Sequence, residues 1–558
     1  MRRPASQTNR KPRMAKAASF PAPTGGWIKN QNLATPGARL PDGSSVNGAF
    51  VLENYFPTAT GIRMRGGSDV YAQIGDGSQP VTSLFAYVNG GNKKLFAATP
   101  SLTAGIFDVT SPPAVPTWLV DDLNEFLVDD LGNLLISQAS VPTPVVTGLT
   151  GGDWVSVQFA TPGGVFLRAV NGADTPLAFD GTSFATTPAI TVVDPKTLSY
   201  VWVHQRRLFF IQKDSLSAWY LPADSIGGAA VELPLGGVFT RGGSLLFGSS
   251  WSTESGDGLN EQCVFVTTEG EAAIYRGTDP SVAASWTKVG VYRIGKPLGA
   301  KAHIRAGGDV VIATDIGFVP LSQAIQRDYS ALSPAAISYP IETGWNDAVA
   351  ARSFGWCCEV WPTRQMVLVA LPPDDVNPAQ MLAANARTGA WGLFTGWNGN
   401  CLQLFGDRLL FGSSSGLILE AEITGADQGA PYTSVCVPLF DPLKAPASLK
   451  TSLLMRATLR APAEIVPQLS LQADYRISLP AAPSVSVAAS LGAWGGGIWG
   501  TSVWGVPTVK GIFQQWQSVG GRGYAIAPGV QITSGSVIPP DVELVQVDMT
   551  YDQGDIVT

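Results

Sequence analysis

Residues 81–98 read VTSLFAYVNGGNKKLFAA, two β-prone runs around an Asn89-Gly90-Gly91-Asn92 turn. Aromatic and β-branched residues suit a pleated, half-buried surface, and Asn-Gly supplies the positive φ angles of a tight hairpin. The same unit recurs along the chain. Residues 154–159 turn at Pro162-Gly163-Gly164 into 165–170, and residues 200–203, 207–212 and 216–221 form a third set. Residues 262–267 turn at Glu269-Gly270, residues 300–304 at Ala306-Gly307-Gly308, and residues 401–405 at Gly406-Asp407. Residues 354–361 precede 365–371 in the same manner. Hairpins at a period of roughly 35–50 residues point to propeller blades. The expected fold is all-β: an irregular β-propeller of about six or seven blades, a C-terminal β-sandwich-like domain and an extended N-terminal arm. A pair of sandwiches is the alternative.

Four segments follow from this frame: a basic, flexible arm at 1–25, an extended or β segment at 26–80 that closes or docks the ring, propeller-like blades over 81–440, and a sandwich-like domain at 441–558. An acidic insertion near 116–150 separates the first two blades. Within it LVDDLN at 119–124 recurs as LVDDLGN at 127–133, bringing Asp121, Asp122, Asp129 and Asp130 as paired acids. Their spacing suits a hairpin, and leucines every fourth residue also suit a helix. These acids are the candidates for loops facing a channel. Alanine-rich helical patterns are short, 376–387 being one. The tryptophans at 494, 499 and 504 do not share a strand face, and their glycine-rich surroundings predict a loop.

Composition narrows the function. Charged residues are 14% of the 558, well below the roughly 25% usual in soluble domains, which points to surface covered by other subunits. The first twenty residues hold Arg2, Arg3, Arg10, Lys11, Arg13 and Lys16 and no acid; with the total at −7, the rest sums to −13. Such an arm fits nucleic acid, an acidic partner surface, or simple solvation as a tail. An acidic body does not hold DNA tightly, yet it suits a surface past which DNA slides.

The sequence offers little for catalysis. There are two histidines, His204 and His303, and neither stands near a G-x-S-x-G nucleophile signature. The five cysteines include no C-x-x-C and an adjacent pair, so buried reduced thiols are expected rather than disulfides or zinc. Acidic turns at 254–261 and 121–130 fit no calcium-loop pattern. No catalytic residue, cofactor or metal is expected, and no run has the length of a membrane span. A glycosidase, which needs two carboxylates and aromatic platforms, stays open because pairing across loops cannot be read from one sequence.

Several segments resemble, in order, the tail nozzle (tail hub, tail tubular protein B-like) family of short-tailed bacteriophages. Asn54, Pro57, Gly61, Arg65 and Gly67 match an N-x-x-P…G-x-x-x-R-x-G pattern. Asn171-Gly172 with Pro176 and Asp180-Gly181 resembles its NG-x-x-P…DG segment. Residues 268–280, 289–299, 307–317, Asn385 with 388–391, and the Trp-Gly run at 494–505 continue the series over about 45–555. The resemblance implies a structural virion protein made in the host cytoplasm. It also implies a ring of six copies around the DNA exit channel, attached to an adaptor ring on the portal and holding fibres or spikes. DNA would pass without sequence-specific binding. The resemblance brings no catalytic residues. The rival expectation is a glycan-binding or glycan-hydrolysing propeller with a role in host recognition.

Overall fold

The computed structural model describes residues 15–556 apart from 31, 36–37, 40–42, 44, 76, 101–104, 113–141, 253–260, 374–375, 377–379, 486–509 and 537. The chain forms two units, one of residues 66–430 and one built from both termini, 1–65 with 431–558. The boundaries expected near 80 and 440 thus fall at 66 and 431, and the N-terminal segment folds with the C-terminal one.

The 66–430 unit is a β-propeller of antiparallel sheets. Its first blade holds Ser83–Asn89, Asn92–Thr99, Gly105–Asp108 and Pro144–Thr147. The second is Val155–Thr161 to Phe184–Ala185, the third Leu198–His204 to Val231–Pro234, and the fourth Leu245–Trp251 to Trp286–Arg293. A three-stranded sheet, His303–Ala306, Asp309–Thr314 and Gly317–Pro320, comes next with the helices Leu321–Gln326 and Glu342–Ala351. The fifth four-stranded blade runs from Cys357–Trp361 to Trp391–Thr395, and the sixth from Cys401–Phe405 to Leu417–Thr424. The count of six or seven holds as six full blades and one short sheet.

Closure comes from the N-terminal side. Gly67–Gln73 pairs with Leu417–Thr424 as the fourth strand of the last blade. The start and the end of the unit thus meet in one sheet, with Gly67–Gln73 as its outer strand, and that pairing ties the ring shut. The cores follow the ring. Ala72, Ile74, Leu84, Ala97, Leu410 and Ile418 join the last blade to the first, and Phe85, Phe96, Leu167 and Phe179 join the first to the second. Val170, Leu198 and Phe210 continue to the third blade, and Trp202, Phe247, Val264 and Ile312 to the fourth and the short sheet.

Two sequence expectations change. The 116–150 insertion does not separate the first two blades: Pro144–Thr147, within it, pairs with Gly105–Asp108 and is a strand of the first blade. Asp121, Asp122, Asp129 and Asp130 lie outside the described residues. The stretch 376–387 is a strand over Gln380–Asn385, because Met381, Leu382, Ala383 and Ala384 are all buried and a sheet interior covers both faces. The short helices around 321–351 have no counterpart in the sequence pattern.

The terminal unit is a two-sheet sandwich. One sheet joins Lys16–Pro21, Tyr55–Pro57, Ile62–Met64, Ser448–Ala461, Gly511–Gln514, Gln517–Gly523 and Glu543–Ile556. Within this unit the other is Ala49–Glu53, Tyr432–Pro438, Ile526–Ser534 and Gln468–Ala473. Leu52, Cys436, Leu469 and Val530 from one sheet share a core with Phe20, Met64, Met455 and Val547 from the other. Lys16 therefore belongs to an edge strand, where its ammonium donates to Gln553, and is not part of a free tail. Arg2, Arg3, Arg10, Lys11 and Arg13 lie outside the described residues, as does the Trp-Gly run.

The turns explain the family-like segments. The Asp174 carboxylate accepts from the Thr150 N–H (2.9 Å), the Gly151 N–H (3.0 Å) and Asn171 Nδ2 (2.8 Å). Burial pushes its pKa up, the hydrogen bonds from Thr150 and Asn171 outweigh that, and the net shift is down. A carboxylate with a depressed folded-state pKa contributes stability above the ordinary carboxylate range and loses it as pH falls through the folded value. Asp174→Ala should cost about 2 kcal/mol in urea unfolding near neutral pH, and the gap from wild type should narrow as pH falls through the lowered folded-state value. Asn385 likewise caps its turn through the Arg387 N–H (2.9 Å) and the Thr388 N–H (3.1 Å). These residues build turns.

Candidate functional site: the axial mouth of the propeller

The first strand of a sheet lies beside the first strand of the next around most of the ring, the exception being the step from Leu245–Trp251 to the short sheet, where it meets Asp309–Thr314. Residues at the starts of these first strands gather at one end. Lys301 Nζ reaches Asp153 Oδ1 at 2.6 Å and Ser83 Oγ at 3.2 Å, residues from sheets on another part of the ring. Ser83 Oγ in turn donates to the Gly152 carbonyl (2.8 Å) and accepts the Trp154 N–H (2.7 Å). Burial pulls the Lys301 pKa down, but Asp153 and the thiols of Cys357 and Cys401 push it up, and the net shift is upward. Lys301 is thus an ammonium held across the mouth.

Between the third and fourth blades and the short sheet the packing is aromatic. The His303 ring stacks on Phe247 at 4.1 Å and 4°, and its Nε2 lies 3.4 Å from Tyr200 Oη. Burial pushes the His303 pKa down to about 4, so it is neutral at neutral pH.

Beside the Lys301–Asp153 pair lies a cavity of about 450 Å3, lined among others by Phe354, Pro372, Pro373 and Asn400. Phe354 is 56% exposed. Asp153 is 75% exposed in its side chain, and Lys301 about a quarter exposed, at 26%. The pairing of Lys301 with Asp153 had no sequence signal, since 148 positions separate them.

The other histidine is no better placed to act as a base. His204 Nδ1 lies 2.9 Å from Ser250 Oγ and 3.7 Å from Glu261 Oε2, a trio with the composition of a hydrolase triad. The geometry is wrong for a relay. Serine and acid share one ring nitrogen, Nε2 faces the Gly277 carbonyl at 3.4 Å, and the Ser250 hydroxyl donates to the Val203 carbonyl at 2.9 Å. Ser250 is also buried, and burial pushes the His204 pKa down to about 4. All five cysteines are free and buried, with burial pushing Cys357 up to about 11 and Cys401 up to about 12. Among the described residues no group of three or more His, Cys, Asp or Glu gathers, and no helix is long and apolar enough to cross a membrane.

Fold and site together define a closed β-propeller joined in sequence to a two-sheet sandwich that holds both the N-terminal and the C-terminal segments. No protein-family model matches the sequence, and no curated protein matches it. Among solved structures, two crystal structures of BBS1N in complex with ARL6DN are similar in part, one soaked with mercury and one with lead. Their TM-scores are 0.37 and 0.35 at 10% and 11% identity, covering 65% and 68% of this chain and 97% and 100% of theirs. The propeller assignment rests on the strand pairing given above and not on this likeness.

Proposed function

We propose that the protein is a non-enzymatic structural subunit of the tail nozzle of a short-tailed bacteriophage. Copies of it, six by family resemblance, would form a ring between a portal-bound adaptor and the fibres or spikes, and DNA would leave through that ring. The observation that carries the assembly reading is where large apolar side chains are exposed. The terminal unit exposes Trp516, Tyr475, Tyr524, Ile477, Ile512, Leu453 and Leu454, whereas apart from Phe354 and Ile423 the propeller exposes only valines of this class among the described residues. Exposed tryptophan, tyrosine and leucine on one unit fit a subunit interface, where aromatic anchors carry most of the binding energy. A sparse complement of charge across the chain fits the same reading.

Lys301 bridges three sheets at one end of the propeller through Ser83 and Asp153, so a duplex would pass between subunits and not through one. The acidic balance of the body would keep that shared lumen from retaining DNA. Negative-stain imaging and light scattering of the purified protein, alone and with its adaptor, test the reading. Closed rings are expected, and Trp516→Ser with Ile512→Ser should shift them to monomers. A strictly monomeric particle under both conditions would sink the proposal.

A further inference from the structure

We infer that the cavity at the axial mouth is a binding site for a neutral saccharide, a property separate from ring assembly. Three observations converge on it. Its volume of about 450 Å3 lies within the ~300–1,000 Å3 of small-molecule pockets. Its charges cancel, because the Lys301 ammonium and the Asp153 carboxylate are bonded at 2.6 Å. A free anion or cation therefore gains little there, while a hydroxyl-bearing ligand finds both a donor and an acceptor. Lys301 uses one N–H on Asp153 and one on Ser83 and has a third to offer, and the carboxylate has a second oxygen. Finally, Phe354 is the one aromatic side chain exposed on the 66–430 unit among the described residues, and it lies on this cavity with Pro372 and Pro373. An exposed ring beside paired hydrogen-bonding groups matches the two faces of a pyranose, apolar C–H on one side and hydroxyls on its edge. The hydroxyls of Thr82 and Ser414, which also line the cavity, add further partners.

Saturation-transfer NMR on the full-length protein tests this with the methyl glycosides of glucose, galactose, N-acetylglucosamine and rhamnose, and with glycine as a zwitterion. At least one glycoside should receive saturation on its ring protons. Phe354→Ala should weaken that binding about tenfold and Phe354→Tyr should restore it. Asp153→Ala should abolish it. Phe354 is exposed, so its variants should keep the parent's unfolding midpoint, whereas Asp153→Ala strips the Lys301 ammonium of its carboxylate and should lower the midpoint without unfolding the protein at the assay temperature. Silence from all four glycosides, binding of glycine alone, or binding undiminished in the Phe354→Ala/Asp153→Ala double variant would each overturn the inference. Ring formation is a separate readout, so a failed nozzle reading and a failed saccharide site are told apart.

Discussion

Arg168→Met should make the propeller more stable by about 3 kcal/mol, seen as a later urea midpoint for its unfolding. Arg168 sits on Gly164–Val170 of the second blade, opposite Val157 and Ala178 on the neighbouring strands. Val170, two residues on and on the same face, belongs to the core that joins the second and third blades. The side chain is 1% exposed, and all three guanidinium nitrogens lack a hydrogen-bond partner among the described residues. Burial alone pushes its pKa down from 12.5 to about 10.

The sign follows from linkage. A base whose folded-state pKa is depressed binds its proton less tightly when folded, so the unfolded chain holds more protons between the two values and stability rises with pH there. At neutral pH both states are protonated and the penalty is fully present, at about 1.4 kcal/mol for every tenfold loss of proton affinity. Methionine fills a similar volume without charge. Arg168→Lys keeps a buried cation and should gain nothing. A variant Arg168→Met that unfolds earlier than wild type would mean that the guanidinium's contacts outweigh its desolvation.

How much of this was readable before the structure depended on the distance between the residues involved. Gly406-Asp407 and Asn89-Gly90 announce their hairpins because the positive φ values, 58° and 63° at the first pair and 57° at Gly90, are local properties of those residues. The hairpin at Gln205-Arg206 gave no such signal, although both residues also have positive φ. Its geometry is supported from afar: Asp224 accepts from Arg206 Nε at 3.0 Å and returns its own N–H to the Arg206 carbonyl at 2.9 Å. The N-terminal segment could be read as closing the ring, but not as the partner of residues 417–424. Gly67 shows why that position admits no side chain, since a Cβ there would meet the Ala426 carbonyl oxygen at 2.0 Å. The site followed the same rule. Lys301, Asp153 and Phe354 looked unremarkable in sequence because the axis brings them together only after the ring closes. The basic arm was read as one stretch from composition, yet Lys16 is drawn into a sheet by a partner strand near the opposite end of the chain.

Asn54→Ala should cost the terminal unit about 3 kcal/mol and should abolish ring formation while leaving the propeller folded. The Arg65 side chain is fully buried, with its Nε donating to Asn54 Oδ1 at 2.8 Å and its guanidinium 3.9 Å from the centre of the Tyr432 ring. Asn54 Nδ2 donates to the Thr433 carbonyl at 2.8 Å, and the Asn54 carbonyl accepts from Ser434 Oγ at 3.0 Å. The Tyr432 hydroxyl closes the circuit on the Arg65 carbonyl. Alanine removes an acceptor from a buried guanidinium and must also adopt φ +57°, worth about a further 1 kcal/mol against a residue with a Cβ and no local hydrogen bond. Two companions separate these causes. Asn54→Gly relieves the backbone and still lacks the acceptor, so it should recover only the smaller part. Asn54→Asp keeps the acceptor and the tolerance of positive φ and adds a charge-assisted bond to Arg65, but it sets a carboxylate oxygen against the Thr433 carbonyl, so it should lie between Asn54→Gly and wild type. The Asn and Arg of the family-like pattern would then be conspicuous because they lock the two chain ends into one unit. If Asn54→Ala melted the propeller to the same extent, or left the rings intact, the terminal unit would not be the separate element on which assembly is proposed to depend.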